Sequence, residues 1–198
     1  MHAKSQKRSL ILASSSPYRK LLLERLGLPF EVQYSSVDES PQPGETPARQ
    51  VKRLAAAKTD AVCECRPADV VIGSDQLAVH EGRVLGKPGS AAGARRQLTA
   101  FSNSRVDFLT ALSIRCADSG FRFEKTVTTE VRFRTLSAAE IRRYVALDHP
   151  IDCAGGFKSE ACGTALLQAM RSDDPTAIVG LPLISVAEAL RQAGFKVP

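Results

Sequence analysis

Within the segment Ser14-Ser15-Ser16-Pro17-Tyr18-Arg19 stand three hydroxyls, a run of backbone N–H groups and one guanidinium. Ser16 followed by Pro17 is the cap-plus-proline signal of a helix start. The unsatisfied donors and the dipole of such a terminus favour an anion. Arg19 adds a planar fork suited to phosphate oxygens. Taken alone, the arrangement also reads as ordinary helix capping, so the other charged residues decide its meaning.

Asp75 follows Gly73 and Ser74 at what reads as the end of an apolar strand. A carboxylate there is costly to bury unless it is paired, hydrogen-bonded or bound to metal. Asp38-Glu39 opens a loop containing Pro41, Pro43 and Gly44 and offers hard oxygen ligands of the kind magnesium uses together with substrate phosphates. Lys58 falls on the apolar stripe of a helix, where snorkelling to solvent is the common outcome. Lys87 lies between Gly86 and Pro88, in a turn where it too needs a partner.

The elements that must position these residues follow from pattern. Ser9 to Ser14 reads as a buried strand, and Pro17 to Leu26 as a helix stopped at Gly27. Phe30 to Ser35 alternates like a strand. Thr46-Pro47 opens a second helix with Val51, Leu54, Ala55, Ala61 and Val62 on one face. Ala68 to His80 is apolar but interrupted at Gly73-Ser74-Asp75-Gln76, and Glu81-Gly82 reads as a hairpin turn. Ser90 to Asn103 reads as helix. Val106 to Cys116 and Phe121 to Leu136 read as an antiparallel hairpin, so the sheet is mixed. Ser137 and Glu140 form a capping box for a further helix to about Leu147. A loop containing Gly155 to Glu160, then a last strand and a helix ending near Gly194, complete the chain.

The 198 residues, 43% of them apolar, suit one domain. We expect a single unit over residues 1–198, with residues 1–8 a flexible basic tail. Apolar runs are far shorter than the roughly 20 residues of a membrane span, and no signal-peptide core is visible. These features predict a cytoplasmic protein without a membrane partner. Five cysteines at irregular spacing argue for free thiols in a reducing compartment. The net charge of +6 is spread along the chain without basic blocks. It suits a polyanionic small molecule and does not call for nucleic acid.

The motifs LILASSSPYRKLLLERLG, VDES, VKRLAAAK, VIGSDQ, GKP and FKSEACG, in that order from about Ser9 to Phe195, resemble those of the Maf nucleotide pyrophosphatases. The resemblance implies an α/β fold like that of inosine triphosphate pyrophosphatases, with a long twisted mixed sheet, flanking helices and a nucleotide cleft between two lobes. It implies hydrolysis of a nucleoside triphosphate to monophosphate and pyrophosphate with Mg2+ or Mn2+, and a homodimer. Asp75 would then be the proton acceptor or a metal ligand, two roles that need the same place. Glu39 would help to hold the cation, and Ser14, Arg19, Lys58 and Lys87 would grip the triphosphate.

The common family pattern has Arg-Arg after Ser-Pro and Asp-Thr in the middle motif, whereas this chain has Tyr18-Arg19 and Asp75-Gln76. Tyr18, Gln76 and Glu160 resemble the branch that hydrolyses 7-methyl-GTP. N7-methylguanine is cationic, and an aromatic face attracts a cation by roughly 0.5 to 2 kcal/mol. Glu160 offers an acceptor for guanine N1–H and the 2-amino group. The alternatives are a pyrophosphatase for dTTP, UTP or other non-standard nucleotides, and a non-catalytic nucleotide- or nucleic-acid-binding regulator of cell division.

Overall fold

The computed structural model describes residues 8–198, so most of the expected basic tail lies outside the described residues. Seven strands among the described residues form one mixed sheet: β1 (Leu10–Leu12), β2 (Glu31–Val32), β3 (Val70–His80), β4 (Arg83–Leu85), β5 (Arg105–Cys116), β6 (Phe121–Phe133) and β7 (Leu167–Arg171). The order is β2-β1-β3-β5-β6-β7, with β4 attached to β3. Strand β1 runs parallel to β2 and β3, and every other pairing is antiparallel. Among the described residues five α-helices flank the sheet: α1 (Pro17–Glu24), α2 (Pro47–Cys63), α3 (Ala91–Phe101), α4 (Ala138–Asp148) and α5 (Leu183–Gln192).

Local signals set most helix starts. Ser16, Thr46, Ser90 and Ser137 each cap a helix by accepting a backbone N–H, and the Ser137–Glu140 capping box is formed. Two expectations are corrected. The stretch Phe30 to Ser35 contributes only Glu31–Val32 to the sheet, because only Ile11 and Leu12 of the short β1 are there to pair with it. Strand β3 is not interrupted at Gly73 to Gln76 but runs unbroken to His80, since β5 pairs with it from Val71 to Val79.

That long strand explains the cleft. On its other edge, β1 pairs with Val70 to Ile72 and β4 with Ala78 to His80. The edge from Gly73 to Leu77 therefore has no strand beside it. Two buried apolar clusters lie to either side of this gap. One gathers Leu10, Leu22, Ile72, Leu181 and Leu190 around α1 and α5. The other gathers Ala78, Leu98, Phe101, Phe133 and Tyr144 around α3 and α4. These are the two lobes, and a cavity of about 640 Å³ opens between them.

Candidate functional site

Alternation along β3 sends its side chains to opposite faces. Gly73 and Asp75 face helix α2. A Cβ on Gly73 would stand 2.2 Å from Thr59 Oγ1 and 2.6 Å from the Ala55 carbonyl, so only glycine lets α2 lie this close. The close approach brings Lys58, one turn along α2, onto Asp75. Lys58 Nζ donates to Asp75 Oδ1 at 2.7 Å and meets Glu39 Oε1 at the same distance.

Lys58 does not snorkel. Its side chain and that of Asp75 are each about nine-tenths buried, whereas Glu39 is 61% exposed. The outcome departs from the expectation for a lysine on an apolar stripe because two carboxylates replace the water that snorkelling would seek. Helix α2 also places Glu39. Arg53 donates to both oxygens of Glu45 at 2.7 and 2.8 Å and to the Ser40 carbonyl at 3.1 Å, which pins the loop to the helix. The hydrogen bond from Lys58 holds Glu39 below the usual glutamate range, and Lys87 and Arg19 act in the same direction.

Ser74 and Gln76 face the other way, toward a turn around Ala177 to Gly180. Ser74 Oγ lies 2.8 Å from the Gly180 carbonyl. Gln76 Nε2 is 2.9 to 3.0 Å from Thr110 Oγ1 and the carbonyls of Ala177 and Ile178. With both amide hydrogens committed, Gln76 has only Oε1 left for a ligand.

Arg19 reaches the same turn, donating from Nε to the Gly180 carbonyl at 2.9 Å and from a terminal nitrogen to Ser14 Oγ at 3.3 Å. Gly180 has φ of +109°, and a Cβ there would meet Arg19 Nε at 3.3 Å, so the turn and the guanidinium both depend on glycine. Burial pulls the Arg19 guanidinium down from its ordinary value, opposed by Asp75 and Glu39. Ser14 is buried, and its hydroxyl also accepts from Ser16 N. Accepting both bonds, it orients the turn and Arg19 and keeps its own O–H free to donate. Lys87 is exposed and lines the same cleft, with its charge acting on Glu39.

At the far end, Tyr18 donates its hydroxyl to Asp152 Oδ2 at 3.2 Å, and Lys158 Nζ lies 5.6 Å from the centre of its ring. Burial pushes the Tyr18 phenol up to about 12, so it remains a neutral donor near neutral pH. Glu160 is exposed on the rim and accepts from Ser159 Oγ at 3.4 Å. Val84, Leu85, Phe108, Phe157 and Ile178 line the same cleft and give it an apolar slot besides its charged groups.

A family model described as Maf-like protein matches residues 9–193. The chain belongs to the Maf family. Among its relatives is a 7-methyl-GTP pyrophosphatase of Polaromonas sp., 49% identical over 94% of this chain and 85% of its own. Another, of the same name, from Alkalilimnicola ehrlichii, is 51% identical over 94% of each chain. A third from Xanthomonas oryzae pv. oryzae, again so named, is 50% identical over 96% of this chain and 98% of its own. The Ham1 protein of Staphylococcus aureus has a TM-score of 0.45 and 17% identity, covering 64% of this chain and 72% of its own.

In this Maf chain the fold gathers Tyr18, Arg19, Glu39, Lys58, Asp75, Gln76, Lys87 and Glu160 along one cleft, with Ser14 just beneath it. Sequence reasoning overlooked Asp152 and Lys158 beside Tyr18, Thr110 beside Gln76, and the carbonyls of the Ala177 to Gly180 turn. Thr110 had no local signal. The turn did, since Pro175 and Pro182 bracket Gly180 in a segment with no strand or helix pattern.

Proposed function

We propose that this chain is a nucleoside triphosphate pyrophosphatase that acts on 7-methyl-GTP, giving 7-methyl-GMP and pyrophosphate. The observation that carries the chemistry is the buried Lys58–Asp75 pair, joined by Glu39, in a cleft that also presents Arg19 and Lys87. The names of relatives near 50% identity over almost the whole chain support the substrate.

The triphosphate lies along the floor, where Arg19, Lys58 and Lys87 offset its charge and stabilise the charge that builds during transfer. Water attacks the α-phosphorus, forming a P–O bond as the bond to the bridging oxygen breaks. The electron pair leaves with pyrophosphate, and Asp75 accepts the proton of the attacking water. Glu39 and Asp75 suit Mg2+ or Mn2+: both present hard oxygens to one point, where Lys58 now stands. Among the described residues no group of three or more His, Cys, Asp or Glu is gathered to hold a metal. A cation held by Glu39 and Asp75 would complete its shell with phosphate oxygens and water, as magnesium commonly does. When bound, the cation neutralises phosphate charge.

The base enters the apolar slot. Tyr18 offers a π-face that already attracts the Lys158 ammonium, as it would a cationic purine. Gln76 Oε1 and the Glu160 carboxylate supply acceptors for guanine N–H groups, and a base lacking those donors would leave them unpaired. We also propose a cytoplasmic homodimer, to be checked by light scattering on purified protein. Among the described residues no helix is long and apolar enough to cross a membrane.

The deciding experiment is pyrophosphate release with Mg2+ or Mn2+ from 7-methyl-GTP, GTP, dTTP, UTP and CTP, with Asp75→Asn as blank. Strong preference for 7-methyl-GTP supports the whole proposal. Preference for dTTP or UTP keeps the pyrophosphatase and rejects the base recognition. No release from any of them rejects the enzyme and favours a binding protein.

A further inference from the structure

Asp174 is a carboxylate outside the cleft with only 2% of its surface exposed. It has no cationic partner among the described residues. Four donors surround it instead. Oδ1 accepts from Thr176 N at 3.1 Å and Thr176 Oγ1 at 2.7 Å. Oδ2 accepts from Ile184 N at 2.8 Å and, more weakly, from Ser185 N at 3.4 Å. The last two are first-turn donors of α5, whose own cap residue, Pro182, offers no side-chain acceptor. Asp174 thus caps α5 from ten residues upstream and closes the intervening chain into one loop.

That loop carries the carbonyls that hold the cleft side chains. Ala177 and Ile178 receive Gln76, and Ala177 also receives Thr110 Oγ1 at 2.8 Å. Gly180 receives Arg19 and Ser74. Thr176 extends the brace. Its Oγ1 lies 2.8 Å from the Leu181 carbonyl and accepts from Leu183 N at 2.7 Å. A buried carboxylate this fully hydrogen-bonded fixes the backbone around it. Here the fixed backbone sets the Arg19 guanidinium and the Gln76 amide in the cleft.

We infer that Asp174 is a positioning residue for both halves of the substrate, setting Arg19 for the triphosphate and Gln76 for the base. This rests on the function proposed above. Asp174 touches no reacting atom. Its loss therefore acts by misplacing groups, and small misplacements cost on the order of tenfold to a hundredfold in rate.

The test compares wild type, Asp174→Asn and Val71→Ala. Asn replaces one acceptor oxygen by a donor. Val71 is fully buried in a cluster with Ile11 and Val62, away from the loop, and its truncation lowers stability by packing alone. Assays run well below every melting midpoint. Asp174→Asn should raise KM for 7-methyl-GTP and GTP, lower kcat/KM for 7-methyl-GTP by about tenfold or more, and shrink the ratio between the two substrates. Val71→Ala should leave KM and the ratio unchanged. Equal behaviour of the two variants overturns the inference. Should Asp174→Asn fail to fold, Thr176→Val removes the same brace at near-constant volume and must show the same loss of discrimination. If wild type hydrolyses neither nucleotide, the proposed function fails. Calorimetry with inorganic triphosphate then decides the positioning claim alone: weaker binding by Asp174→Asn supports it through Arg19, and unchanged binding overturns it.

Discussion

Lys58 donates to Asp75 at 2.7 Å inside the protein, from a helix onto the middle of a strand, with both side chains nearly closed to solvent. Breaking a buried pair by removing one partner leaves the other charge uncompensated, at about 3 kcal/mol. Lys58→Met should therefore melt well below wild type. It also removes the ammonium that stands between Asp75 and Glu39. Calorimetry should then detect Mn2+ binding without nucleotide in the variant and much weaker binding in wild type; equal binding by both would count against a shared place for the ammonium and the cation.

Asp75→Asn keeps the shape and removes the proposed proton acceptor. Turnover should fall by about 10²- to 10⁴-fold, while the triphosphate should stay bound through the contacts proposed for Arg19 and Lys87. Pyrophosphate release and equilibrium binding, measured on the same sample, separate these two effects.

Tyr18→Ala removes the aromatic face and its hydrogen bond to Asp152. A contribution of roughly 0.5 to 2 kcal/mol corresponds to about a 2- to 30-fold fall in the kcat/KM ratio of 7-methyl-GTP to GTP. An unchanged ratio would place the recognition of the methylated base elsewhere.

The Lys58 contact lowers the Glu39 pKa from its ordinary 4.5 in the folded chain. Below that value the unfolded chain binds more protons than the folded one, so stability rises with pH across the window. The contribution is present above pH 4.5 and is lost as pH falls through the folded value. Because Glu39 is largely exposed, it amounts to no more than about 1 kcal/mol. Glu39→Gln should melt slightly below wild type near neutral pH, and the gap should close in strongly acidic buffer.

Gly73→Ala drives a Cβ into Thr59 and the α2 backbone. Overpacking of this kind costs about 1 to 3 kcal/mol, and α2 can relieve it only by carrying Lys58 away from Asp75. Both the melting temperature and kcat should fall. A variant with wild-type kcat would show that the close approach is dispensable.

Much of this molecule was legible locally. Caps at Ser16, Thr46, Ser90 and Ser137, the Glu81-Gly82 turn and the long hairpin between Cys116 and Phe121 depend on residues close in sequence. The site was legible as a set of residue types, with Arg19, Glu39, Lys58, Asp75 and Lys87 each marked by charge in an unusual setting. Asp75 was misjudged as a strand end because Gly73 and Ser74 look like a break; pairing with β5 overrode that local preference.

The sequence by itself determined most helices with the caps at Ser16, Thr46, Ser90 and Ser137, the long hairpin, the family and the charged residue types that the proposed function uses, since those follow from short-range hydrogen bonding and side-chain chemistry. Only the tertiary structure decided how they meet. Whether Lys58 snorkels or pairs depends on how near α2 lies to β3. Where the cleft opens depends on β1 and β4 leaving a gap along β3. The role of Asp174 depends on which backbone N–H groups the chain returns to it. Each of these is a contact between residues distant in the chain, fixed by packing that local pattern does not contain.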